Sequence, residues 1–116
     1  MSETKIGVDE NIAGLIAYVL GLITGIILLV IEKENKFVRF HAAQSTALYG
    51  GLFVLNIILG FLSSIPYLGM IFSLISMLIG LVAFVLWLYL MYMAFKGEMY
   101  RLPVIAEYAD KLEAMF

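Results

Sequence analysis

NIAGLIAYVLGLITGIILLVI, from Asn11 to Ile31, contains no Asp, Glu, Lys or Arg. A helix needs roughly 20 apolar residues to cross about 30 Å of bilayer hydrocarbon. At about 1.5 Å per residue, the stretch predicts one helix over 11–31 that spans with little tilt. Asp9 and Asn11 offer short side-chain oxygens to the free N–H groups of the first turn, and Glu32, Lys33 and Glu34 end the helix at water. The polar lead, residues 1–10, is expected to fray. The flank MSETKIGVDEN is acidic, and the apolar run exceeds the 7–15 residues of a signal-peptide core, so it reads as a retained span.

A second charge-free run, residues 42–95, is long enough for two more helices. The chain is 64% hydrophobic and only 14% charged. Soluble domains carry about 25% charged residues, so this chain could not cover its surface in water. The predicted fold is an all-α integral membrane protein, one membrane domain over 1–116. It has three transmembrane helices, at about 11–31, 37–65 and 68–95, plus a short C-terminal amphipathic helix at about 103–116. Ser63, Ser64, Pro66 and Gly69 punctuate the second turn. The third helix is longer than a span requires, which suggests tilt or an interfacial or re-entrant start. Trp87, Tyr89, Tyr92 and Phe95 predict an aromatic belt near its end. In the tail, Val104, Ile105, Tyr108 and Leu112 recur at helical spacing among Glu107, Asp110, Lys111 and Glu113. Such a helix can lie on a membrane or pack on a partner.

Three spans place the first loop and the C-terminus on one side. That side holds Lys33, Lys36, Arg39, Lys96, Arg101 and Lys111, against Lys5 alone on the other. Basic residues favour the cytoplasm, so the expected orientation is N-terminus outside and C-terminus inside. Lys33, Lys36, Arg39, Lys96 and Arg101 also suit anionic lipid headgroups.

Three groups of residues could carry function. Small residues line up at Gly14, Gly21 and Gly25, at Ala43, Ala47 and Gly51, and at Ser76 and Gly80. Helices in lipid associate through close approach over small side chains, so these stripes predict packing within the chain or self-assembly. Asn56, the one strongly polar side chain near the midplane, needs a hydrogen-bond partner or a place in a polar path. Arg39, His41, Gln44 and Ser45 form a polar cluster at the start of the second helix. Closing the cytoplasmic end is the simpler use for it, since no acidic partner sits on the same helix. With no cysteine and a single histidine, no metal, cofactor or catalytic set is expected. No phosphate loop or nucleophile elbow occurs, and nothing points to nucleic acid.

The stretches LGLITGIILLVIEKENKFVRFHAAQS and MAFKGEMYRLPVIAEYADKL resemble an uncharacterised prokaryotic membrane family. That family is similar to the twenty-kilodalton subunit of the chloroplast Tic import complex and to the MamF-type magnetosome membrane proteins. The tail departs from the family pattern at Ala106. The resemblance implies a small, non-enzymatic helical component that assembles with itself or with other membrane proteins. It would act as a scaffold or as a subunit of a protein-translocation-type complex. A small channel or carrier is the alternative.

Overall fold

The computed structural model describes residues 4–116; residues 1–3, part of the lead expected to fray, lie outside them. The elements of the described residues are helices: α1 Glu10–Val19, α2 Leu22–Ile31, α3 Lys36–Ser63, α4 Gly69–Phe95 and α5 Ile105–Met115. Two of these, α3 and α4, are long and apolar enough to cross a membrane.

The continuous helix expected over 11–31 is corrected to two. Gly21 takes φ 59° and ψ −112°, a conformation open to glycine and strained for other residues. The chain folds back there, as its neighbours record. Gly14 lies against Phe37, His41 and Ala94, Gly21 against Tyr49, and Gly25 against Ala42 and Thr46. Leu29, further on, faces Arg39. So α1 advances along α3 and α2 returns along it. Each has 10 residues, about 15 Å, half the hydrocarbon thickness.

Breaking a helix in apolar surroundings frees backbone groups that must be bonded elsewhere. Remote side chains do this. Ser45 Oγ donates to the Gly21 carbonyl at 2.9 Å, and Trp87 Nε1 donates to the Tyr18 carbonyl at 2.6 Å. Thr24 Oγ1 bridges the bend, accepting from the Leu20 N–H and donating to the Ala17 carbonyl.

The lead from Thr4 to Val8 is tied down rather than frayed. The buried Glu32 carboxylate accepts the backbone N–H groups of Lys5 and Ile6, at 2.8 and 3.0 Å. Asp9 occupies the N-cap position of α1 without a side-chain cap bond. Asn11 instead reaches the end of α4 and donates to the Phe95 carbonyl.

α3 and α4 run antiparallel. Their shared seam follows Leu48, Leu52, Leu59 and Leu62 on α3 and Phe72, Ser76, Ile79, Ala83, Leu86 and Leu90 on α4, each of them buried or half-buried. Gaps of three, four and seven residues keep such a seam facing its partner. At the turn between them, a Cβ on Gly69 would collide with the Ser63 carbonyl, so only glycine fits. The ends differ slightly from expectation, 36–63 for 37–65 and 69–95 for 68–95. The tail helix starts at Ile105 rather than Pro103 and packs on α3 of its own chain, with Ala109 and Leu112 against the Ala42–Ala47 region.

The result is an elongated molecule, 54 × 26 × 22 Å. At one end α1, α2, α5 and the adjoining halves of α3 and α4 form a packed base. At the other, α3 and α4 alone form an arm whose apolar side chains stand exposed, Phe61 and Met70 among them at 76%.

Candidate functional site

The base is organised around polar side chains of α3. Asn35 starts that helix, its Oδ1 accepting the Val38 N–H at 3.0 Å. The following turns place His41, Gln44 and Ser45 on one face, as their spacing predicts, and all three are fully buried. His41 and Gln44 bury against the tail segment Glu98 to Leu102 and Tyr18 of α1.

Each hydrogen bond in this clamp assigns the next. His41 Nε2 lies 2.8 Å from the Glu98 carbonyl, which can only accept, so Nε2 carries the proton. Nδ1 is then an acceptor and takes the Tyr18 hydroxyl proton across 2.7 Å. The Tyr18 oxygen in turn accepts one hydrogen of Gln44 Nε2 at 3.0 Å. The other Gln44 hydrogen goes to the Tyr100 carbonyl at 2.8 Å, and Gln44 Oε1 accepts the Leu102 N–H at 2.9 Å. Imidazole, phenol and amide thus have their hydrogens placed in one consistent pattern. Phe37 and Phe40 pack edge-on against the imidazole and shut it from solvent.

Arg39 makes a second clamp one turn away. Its guanidinium donates to the Leu29 carbonyl at 2.9 Å and to the Glu113 carbonyl at 2.6 Å. Both carbonyls belong to the last turn of a helix, α2 and α5, where unpaired acceptors and the helix dipole favour a cation. Arg39 is therefore buried rather than presented to headgroups. Lys33, Lys36, Lys96 and Arg101 remain exposed around the base. Arg101 grips Asp110 of α5 through two bonds, at 3.1 and 2.7 Å.

The small residues separate into two sets. Gly14, Gly21 and Gly25 are close-packed against α3 and α4, and Ala43 and Ala47 lie in or against the core beneath α1, α2 and α5. Ser76 sits in the α3–α4 seam. Gly51 and Gly80 face open space, and Asn56 is exposed on the arm. Trp87, expected in an aromatic belt, instead bonds the broken backbone at Tyr18.

Sequence reasoning missed Tyr18, which sits in an apolar run where nothing local distinguishes it. It named Glu32 and Trp87 for other roles, a helix end at water and an interfacial belt, whereas they bond the backbone of Lys5 and Ile6 and of Tyr18. Among the described residues no group of three or more His, Asp or Glu is placed to hold a metal ion.

Residues 8–109 match the magnetosome magnetite crystal formation protein family. A UPF0132 membrane protein of Methanocaldococcus jannaschii is 51% identical over 111 residues, covering 96% of this chain and 94% of that one. Another, from Archaeoglobus fulgidus, is 47% identical over 102 residues, covering 88% and 93%. A further protein of that name in M. jannaschii is 37% identical over 106 residues, covering 91% and 71%. No solved structure matches. Their name and the two apolar arm helices agree on the bilayer as the setting. The chain is a membrane protein and belongs to the magnetosome magnetite crystal formation protein family.

Proposed function

We propose that this protein is a non-enzymatic membrane scaffold that crosses the bilayer twice and acts by helix–helix assembly within it. The observation that carries the reading is the bare α3–α4 arm rising from a base whose polar groups are already engaged. In water such an arm would expose a continuous apolar surface far larger than soluble monomers tolerate. Lipid and neighbouring helices are its natural cover.

In this reading α3 and α4 span, and α1–α2 is a hairpin that enters from one side and returns to it. All seven Lys and Arg residues then fall at the base, and the turn at residues 64–68 carries none. The positive-inside rule puts the base, with both termini, in the cytoplasm. Exposed Lys33, Lys36 and Lys96 would rest against anionic headgroups.

Catalysis at His41 is disfavoured because its two ring nitrogens are both bonded inside the chain. A general base needs a free nitrogen within reach of a substrate. A translocation role of the import-subunit kind needs a lumen, and a two-helix arm encloses none by itself.

Native mass spectrometry from lipid nanodiscs tests the proposal. Assembly predicts dimers or larger species that persist on dilution. A monomer at every concentration, with no other protein retained, would sink it.

A further inference from the structure

Below the tip of the α1–α2 hairpin, one side of the arm is left open. On α3, Tyr49, Asn56 and Gly60 follow at spacings of seven and four, so they share a face. Tyr49 also lines a groove with Gly80 and the hairpin residues Leu20 and Gly21, which puts Gly80 on the same side of the arm. The hairpin covers this side as far as Tyr49, whose ring would touch a Cβ on Gly21 at 3.0 Å. Beyond that the cover stops. A Cβ added at Gly60 or Gly80 would meet nothing within 4 Å.

This open side holds polar groups that hydrocarbon cannot satisfy. Arg39, His41, Gln44, Ser45, Thr46 and Ser63 of α3 all bond within the chain. The Tyr49 hydroxyl, though buried, has no partner among the described residues. Asn56 is exposed, and no side-chain hydrogen bond among the described residues reaches it. It lies eight positions before Ser64, about 12 Å along the helix, which is close to the middle of the hydrocarbon.

We infer that this face receives a second copy of the chain, with the two Asn56 amides paired across a two-fold axis along the membrane normal. The occupant follows from the chemistry. A carboxamide carries both donor and acceptor, so two copies satisfy each other where lipid tails offer neither. A two-fold axis brings the same residue of each copy together. Gly60 and Gly80 lower the surface beside the amide, and glycine surfaces let helices approach closely in lipid. The inference rests on the assembly reading above and adds its surface and its partner.

The chain has no native cysteine, so single cysteines can map the contact in vesicles of the purified full chain and in native membranes. Gly60→Cys is expected to form a disulfide-linked dimer under mild oxidation. Ile58→Cys, exposed on the opposite side of α3, is expected to remain monomeric. Asn56→Leu should weaken dimerisation about three- to tenfold in a detergent dilution series, from the measured range of interhelical hydrogen bonds in membranes. A wild-type chain that is monomeric throughout would defeat both this inference and the assembly reading. An assembled wild type that crosslinks through Ile58→Cys and not Gly60→Cys, or whose dimer ignores Asn56→Leu, would overturn the face and leave assembly standing. So would a Gly60→Cys crosslink made only to a different protein.

Discussion

The Glu32 carboxylate holds the backbone N–H of Lys5 at 2.8 Å, so the start of α1 and the end of α2 meet at the base of the molecule. A single crossing helix would separate those two points by the thickness of the bilayer. The contact therefore bears directly on topology.

Cysteines at Thr4 and Phe116 are expected to react with an impermeant maleimide from the same side of sealed vesicles. Tyr67→Cys, at the exposed turn between α3 and α4 and itself 98% exposed, should react from the other. Labelling of Thr4→Cys together with Tyr67→Cys would restore a third crossing and refute the hairpin.

Gln44 joins α1, α3 and the tail, which makes it the costliest member of the clamp to lose. Gln44→Ala leaves the Leu102 N–H and Tyr100 carbonyl without partners. The expected loss is about 2–4 kcal/mol, since a buried unpaired group costs about 1–3. Tyr18→Phe should cost about 1–3 kcal/mol. The double variant should fall short of the sum by about 0.5–3 kcal/mol, as for residues in one network. Equilibrium unfolding in mixed micelles measures all three, and strict additivity would mean that Tyr18 and Gln44 do not communicate.

Glycine substitutions separate packing inside the chain from open positions on the arm. A Cβ on Gly25 would lie 2.8 Å from Thr46 Oγ1 and 3.1 Å from the Ala42 carbonyl, and the carbonyl is helix backbone. Gly25→Ala should destabilise by about 1–3 kcal/mol through overpacking. Gly51 has nothing within 4 Å, so Gly51→Ala should be neutral or stabilise by up to about 1 kcal/mol through helix propensity. Similar melting shifts for both would contradict the placement of α2 on α3.

Arg39 closes the C-terminal turns of α2 and α5 at once. Arg39→Met preserves bulk and removes the donors, at an expected loss of about 2–4 kcal/mol for charged hydrogen bonds to buried carbonyls. Hydrogen exchange should quicken in the last turns of α2 and α5 together. Faster exchange in only one of them would show that the guanidinium serves a single helix.

The Arg101–Asp110 pair supplies the pH dependence of the tail. Bonding from Arg101 holds the Asp110 carboxyl below its usual range, and the same bond raises Arg101. A carboxyl whose pKa falls on folding stabilises above its unfolded pKa, and that stability fades as pH drops through the lowered folded value. Exchange of α5 amides, corrected for intrinsic rate, should stay level from about pH 7 to about pH 5, above the ordinary Asp range, and rise only in stronger acid. The pair is half-exposed, so the rise should be small and weaken with salt. Asp110→Asn should abolish it, and an unchanged acid rise in that variant would assign it to another group.

Much of this molecule was legible in the order of its residues. Two charge-free runs dictate lipid, because apolar length and missing charge act locally on every residue they contain. Ser63 to Gly69 announces the α3–α4 turn, and the spacing of His41, Gln44 and Ser45 predicts one polar face. The break at Gly21 was beyond such reading. LGLIT is compatible with a continuous helix, and glycine permits the bend without requiring it. What selects the bend is bonding from Ser45 and Trp87, 24 and 69 residues from the carbonyls they reach. Composition determined that the chain lives in a membrane as helices. Contacts between distant residues decided how many of those helices are long enough to cross, because a half-length helix is stable in lipid only where other segments satisfy its open end.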